Sequence, residues 1–290
     1  MGHEILGVGR AAQASPDWPG HYLSADVVVA DLSPAIREFA PEAVVHAAGT
    51  ASVAASFTAP LEDLRASLFC WANVLDSVRR AKLAPLVVFP SSAAVYGQTE
   101  ELPVTEATPL APISPYGFHK MACELLGQEY AKCFGQRIFT FRLFSVFGEM
   151  QKRLLVWELF QQFSGRGEAV WLQGTGTESR DYLHADDMAG AVLEIIEKLG
   201  GMSEGGWQVA NMASGHELKV LDLAEQMSSL MGSKKSIHCK GVQRPGDPQR
   251  WVADISYLRN LAPEWKPKQF TERLSECLQA WQEGLDSRVG

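Results

Sequence analysis

Short apolar runs separated by helix-length stretches set the first constraint on this chain. Glu4-Ile-Leu-Gly-Val-Gly9, Val27-Val-Val-Ala-Asp31, Ala43-Val-Val-His-Ala-Ala-Gly49, Leu86-Val-Val-Phe-Pro90 and Ile138-Phe-Thr-Phe-Arg-Leu-Phe144 read as buried strands. Residues 34–40, 61–81 and 115–134 between them carry helical periodicity. In the second of these, Leu64, Leu68, Trp71, Leu75 and Val78 form one apolar stripe, widened by Phe69 and Val74. Buried strands alternating with helices predict an α/β fold with a doubly wound parallel sheet covered on both faces. In such a sheet ligands sit beyond the carboxyl ends of the strands. That singles out His46-Ala-Ala-Gly49, Ser91 to Tyr96 and Phe144 to Gly148.

The helix at 115–134 is marked at both ends. Ser114 is an N-cap, Pro115 suits a first helical position, and Gly135 is a stop. On it Tyr116 and Lys120 lie four residues apart and therefore on one face. A fixed cation beside a phenol stabilises the phenolate, which turns a weak base into a proton carrier for a hydroxyl substrate.

After Gly148 the pattern loosens. Helices are expected at 154–163, 186–199, 220–231 and 271–283, and strands at 169–172 and 205–212. Gly174 to Tyr182 reads as a polar loop and Arg244-Pro-Gly-Asp247 as a turn. The expected organisation is a dinucleotide-binding domain at 1–148 and a smaller substrate lobe at 149–290, with some segments returning to the first.

Composition narrows the function. A net charge of −8 argues against nonspecific nucleic-acid binding, which needs a basic surface. The five cysteines are scattered without metal-ligand spacing and read as reduced thiols in a cytoplasmic protein, with no metal expected. No apolar run approaches the roughly 18 residues of a membrane span.

Taken together the motifs resemble the extended short-chain dehydrogenase/reductase family, nearest to NAD(P)-dependent nucleotide-sugar epimerases and reductases. The pieces are Asp31-Leu32, His46-Ala-Ala-Gly49, Ser91-Ser-Ala-Ala-Val-Tyr-Gly97, Pro115-Tyr-Gly-Phe-His-Lys120, Arg142-Leu-Phe-Ser-Val-Phe-Gly148, Arg180-Asp-Tyr-Leu-His-Ala-Asp-Asp187 and Arg244-Pro-Gly-Asp247. The resemblance implies a Rossmann-type sheet, a nucleotide-diphosphate sugar as substrate and a homodimer paired through the helices at 61–81 and 115–134. It implies Ser92, Tyr116 and Lys120 as the catalytic set. It also implies Arg10, Asp31, Leu32, Ala47, Ala48 and Gly49, with Tyr116 and Lys120, around NAD or NADP. Phe144, Ser145, Arg180, Tyr182, Arg244 and Asp247 would contact the substrate. Epimerisation is the leading expectation, with NADPH-linked 4-keto reduction and a non-catalytic binding role as alternatives.

Two departures matter. Dehydratase members carry an acid just after the Ser/Thr, where this chain has Ala93 and Ala94, so 4,6-dehydration is not expected. Members also open with a strand, a glycine-rich turn and a helix that seat the cofactor pyrophosphate. Here Glu4–Gly9 matches the next strand, and Gly7-Val-Gly9 does not substitute, because Pro16 and Pro19 prevent a following helix. Relative to the family the chain reads as N-terminally truncated, and loss of a central strand should expose two sheet edges. Arg10, at the end of the Glu4–Gly9 run where NAD-preferring members place an acid, favours NADP.

Overall fold

The computed structural model describes residues 2–200, 205–242, 246 and 248–286. The chain begins with β1 (Leu6–Gly9), β2 (His21–Ser24), α1 (Ser33–Phe39), β3 (Ala43–Val45), α2 (Val53–Thr58) and α3 (Pro60–Leu64). A π turn (Arg65–Phe69) joins α3 to α4 (Cys70–Ala81). Next come β4 (Leu86–Ser92), a 3-10 turn (Ala93–Val95), α5 (Pro115–Phe134), β5 (Arg137–Leu143), β6 (Ser145–Phe147) and α6 (Leu154–Ser164). The remainder comprises β7 (Ala169–Leu172), β8 (Ser179–His184), α7 (Ala185–Gly200), β9 (Gly206–Met212), β10 (Glu217–Lys219) and α8 (Val220–Leu230). It ends with β11 (Ser236–Cys239), α9 (Ser256–Leu261) and α10 (Phe270–Asp286). Two compact units result: residues 1–96, 110–142 and 196–209 form the first, and 97–109, 143–195 and 210–290 the second.

In the first unit the α/β expectation holds, and so does the expected interruption of the sheet. β3, β4, β5 and β9 lie side by side in that order, while β1 and β2 form a separate parallel pair. β3 runs parallel to β4. β4 and β5 are almost wholly buried, as central strands should be, whereas β1 and β3 are only half-covered and Val45 is 52% exposed. Trp71, Leu75 and Val78 of α4 pack against Val87 and Phe89 of β4, Ile138 of β5 and Cys123 of α5. Val8 of β1 and Val44 of β3 lean on this same cluster.

Local chemistry explains α5. The Ser114 side chain accepts the Gly117 N–H at 3.1 Å, Pro115 opens the first turn, and Gly135 closes the helix in the left-handed region at φ 67°.

Three expectations are corrected. The second strand is not Val27–Asp31 but His21–Ser24. Asp26 accepts the Val28 N–H at 2.9 Å and Asn73 donates to the Val27 and Ala30 carbonyls, so this β-branched run is held as a turn. Residues 179–182, read as the end of a polar loop, belong to the fully buried strand β8, paired with β10 and β6. Its polar Asp181 is satisfied internally by Ser214, Gly215 and the Ala253 N–H. The helix at 61–81 is not uniform: the π turn interrupts it.

The second unit is built around Leu159, Phe160, Leu223, Met227, Leu274 and Trp281, with Phe147 and Tyr182 in the same cluster. β10, β8 and β6 form one sheet and β11 and β7 another. Among the described residues no helix is long and apolar enough to cross a membrane.

Candidate active site

The first unit gathers Ser92, Tyr116 and Lys120. Ser92 ends β4, half-buried, and its side chain accepts the Ala94 N–H at 3.2 Å to start the 3-10 turn. Tyr116 sits in the first turn of α5, where its N–H donates to the buried Ser56 side chain at 3.1 Å. Gly117 lets the two elements meet. A Cβ there would lie 2.6 Å from the Ala94 carbonyl oxygen, so only glycine allows the turn after Ser92 to press against the turn bearing Tyr116.

Lys120 reaches under this contact. Its Nζ donates to the Pro90 carbonyl at 2.7 Å and lies 4.9 Å from the Phe89 ring centre and 5.8 Å from that of Tyr116. Burial pushes the ammonium pKa down, and the Asp63 and Glu124 carboxylates pull it back up. His46, just after β3, is a buried ring packed against Trp71 and Phe89, which also stack on each other. Burial first, and then the Lys120 charge, lower its pKa to about 4, so it is neutral at physiological pH.

Two clamps on α5 were not anticipated. Glu124, one turn beyond Lys120, takes a bidentate contact from Arg142 (2.8 and 3.1 Å) and the Ser91 hydroxyl at 2.6 Å, while Arg142 also donates to the Tyr96 hydroxyl at 3.0 Å. This network fixes the helix to β4, β5 and the turn at once. On the other side His119 Nδ1 lies 2.5 Å from Asp63 of α3, whose other oxygen accepts the Thr50 hydroxyl at 2.5 Å. The helical offsets of His119 and Glu124 from Tyr116 were visible in the sequence; their partners, 18 to 56 residues away, were not.

The residues expected around the cofactor separate. Ala47, Ala48 and Gly49 are exposed beyond β3, and Gly49 adopts φ 128° with the Ala66 carbonyl 3.3 Å from where a Cβ would sit. Asp31 is not at a strand end as expected; it pairs with Arg80 at 3.0 Å and accepts the Ser33 N–H. Leu32 is a core residue whose N–H meets Ser77. The acid that follows β2 is Asp26. It raises the Cys70 pKa and the Arg10 guanidinium lowers it, both after the larger effect of burial, which pushes the thiol up to about 11.

For a dinucleotide the fit is one-sided. Ser92, Tyr116 and Lys120 suit its reacting end. For the pyrophosphate, no described helix opens directly after β1: residues 10–20 are bends and turns. Among the described residues no cluster suits a metal ion.

In the second unit, Ser145 and Tyr182 are register partners on β6 and β8. Phe144 meets the Trp251 ring edge-on at 5.8 Å, and the Arg180 guanidinium lies 5.6 Å from the same ring. Four of the expected substrate residues thus share one neighbourhood, to which sequence reasoning had not assigned Trp251. Arg244 and Asp247 lie outside the described residues.

A family model described as "NAD dependent epimerase/dehydratase family" matches residues 1–210. The UDP-glucose 4-epimerase of Azospirillum brasilense is 30% identical over 279 residues, covering 89% of this chain and 78% of that protein. Among solved structures, a UDP-glucose-4-epimerase from Stenotrophomonas maltophila with bound NAD and formylated UDP-arabinopyranose superposes with a TM-score of 0.88 at 24% identity, covering 100% of this chain and 93% of its own. The UDP-N-acetylglucosamine 4-epimerase from Methanobrevibacter ruminantium, in complex with UDP-N-acetylmuramic acid, gives 0.86 at 24% identity over 97% and 91%. At that identity the two structures speak for the fold.

Proposed function

Since the chain belongs to the NAD dependent epimerase/dehydratase family, we propose that it inverts a sugar carbon of a nucleoside-diphosphate sugar, as a UDP-hexose 4-epimerase type enzyme. The family's NAD(P) carries the hydride; the chain's residues position the sugar and move the proton. Tyr116 takes the proton from the sugar hydroxyl as that carbon is oxidised and returns it on reduction. Ser92 holds the same hydroxyl, and Lys120, anchored on the Pro90 carbonyl, holds positive charge beside the phenol. Phe144, Ser145, Arg180 and Tyr182 contact the nucleotide sugar. An arginine over an indole suits a diphosphate and its base.

The close seating of Gly117 on the Ala94 carbonyl carries this reading, because it presses the turn after Ser92 against the helical turn that bears Tyr116. Ala93 and Ala94, both buried, offer no acid for dehydration. The family favours epimerisation over the reductase and scaffold alternatives. The test is conversion of UDP-galactose to UDP-glucose at millimolar NAD, followed by NMR. Tyr116→Phe should slow it by about 10²–10⁴-fold, and a rate that Tyr116→Phe leaves untouched overturns the assignment.

The exposed Phe57, Leu61, Phe69, Phe118 and Leu125 on α2, α3, the π turn and α5 support pairing of two copies through these helices. Light scattering should return twice 31.8 kDa; a monomer at micromolar concentration refutes it.

A further inference from the structure

Among the described residues, Asp63 is a buried carboxylate that no arginine or lysine pairs with. Its side chain on α3 is 4% exposed and meets His119 of α5. A carboxylate only accepts, so His119 Nδ1 is the donor at 2.5 Å on one oxygen, and the Thr50 hydroxyl donates to the other at 2.5 Å. Ser67 in the π turn meets the same Thr50 hydroxyl at 3.2 Å. Asparagine would serve this geometry too: its carbonyl oxygen accepts from Thr50, and its amide donates to the other tautomer of the imidazole. What asparagine lacks is the charge, and a charge is costly to bury without an opposite one.

The opposite charge stands beside His119. Lys120 is the next residue of α5 and is buried in turn, with its Nζ on the Pro90 carbonyl and, among the described residues, no carboxylate within ion-pair distance. Burial pushes its ammonium pKa down. Of the groups that hold it up, the Cys123 and Cys70 thiols are themselves pushed by burial to about 12 and about 11, so both are uncharged at neutral pH. Two carboxylates remain, Asp63 and Glu124. Glu124 is taken by the bidentate contact of Arg142, which cancels its charge at 2.8 Å. The Lys120 charge also acts on His46, which is neutral at that pH. Among the described residues this leaves Asp63 as the uncancelled negative charge that acts on Lys120.

We propose that Asp63 is the counter-charge of Lys120 and acts through it as a positioning residue for proton transfer at Tyr116, with His119 and Thr50 holding its carboxylate against α5. Lys120 lies 5.8 Å from the Tyr116 ring centre and stabilises the phenolate only while it is an ammonium. A buried lysine without a counter-charge gives up its proton at lower pH, and the phenol beside it then loses its cation. Thr50 follows directly on Ala47–Gly49, so the same carboxylate also ties that loop to the helix.

The effect on rate rests on the proposed function; the counter-charge does not, and the experiment separates them. Lysine isotope-labelled at Cε reports the Lys120 titration by NMR, its signal assigned by its loss in Lys120→Arg. The titration is followed in Tyr116→Phe, which removes the coupled phenol, with and without Asp63→Asn. Asp63→Asn is expected to move the Lys120 midpoint down by about one pH unit or more. The coupling is reciprocal, so Lys120→Met should raise the Asp63 carboxyl midpoint, read from its carboxyl carbon, and this arm does not need Asp63→Asn to fold. A midpoint that stays in place or moves the other way in either arm overturns the counter-charge. In UDP-galactose turnover, Asp63→Asn should shift the alkaline limb of the kcat profile to lower pH, while a lower kcat with the limb in place is the mark of packing alone and overturns the effect on rate. A shifted Lys120 midpoint in a chain that never turns over UDP-galactose sinks the epimerase reading and leaves the counter-charge standing.

Discussion

Gly117→Ala isolates the contact on which the site depends. The added Cβ would stand 2.6 Å from the Ala94 carbonyl oxygen and 2.9 Å from Pro112 Cβ, so helix and turn must part by about 0.8 Å to reach ordinary contact at 3.4 Å. Overpacking of this kind costs about 1–3 kcal/mol. Alanine recovers about 1 kcal/mol through its better helix propensity, so the net loss is about 0–2 kcal/mol. The catalytic effect should be larger, since a displacement near 1 Å between Ser92 and Tyr116 costs on the order of 10²-fold in rate. Calorimetry and UDP-galactose turnover would be run beside Gly135→Ala. That control replaces a glycine at φ 67° with nothing within 4 Å of the new Cβ, and it should lose about 1–2 kcal/mol with kcat intact. If Gly117→Ala keeps wild-type kcat, or loses rate only in proportion to the control's loss of stability, the close seating is not what positions the site.

Glu124→Gln removes the counter-charge of a buried arginine and should cost about 3–5 kcal/mol in urea unfolding, whereas an effect below 1 kcal/mol would show the pair to be dispensable. His46 has a folded pKa of about 4 against 6.5. The unfolded chain therefore takes up a proton between those values that the folded chain refuses, and stability falls as pH drops through this window, by on the order of 3 kcal/mol. His46→Phe, which keeps a ring against Trp71 and Phe89, should flatten that part of the pH profile; an unchanged slope refutes the assignment. Arg10→Ala should weaken NADP more than NAD in direct binding, and equal changes for both would remove its role at the 2′-phosphate.

Features written in contiguous residues were legible in advance. Ser114, Pro115 and Gly135 bound α5 because caps act within one turn, and Tyr116 and Lys120 share a face because helical geometry requires it. The order of motifs was enough to identify the family. Val27–Ala30 had the composition of a strand, but Asp26 and Asn73 hold it as a turn, and Asn73 arrives from α4, more than 40 residues away. Gly174 to Tyr182 looked like a loop because its polar groups find their partners only inside the second unit, as Asp181 does with Ser214 and Ala253.

The sequence alone therefore determined where the helix bearing Tyr116 and Lys120 starts and stops and that the two share one face, because those depend on neighbours within a few positions. Only the tertiary structure decided that Glu124, Arg142, Asp63 and His119 clamp that helix, and that β1 and β2 pair apart from the sheet of β3, β4, β5 and β9. Such pairings join residues far apart in the chain, and their energies come from burial and register, which no local pattern records.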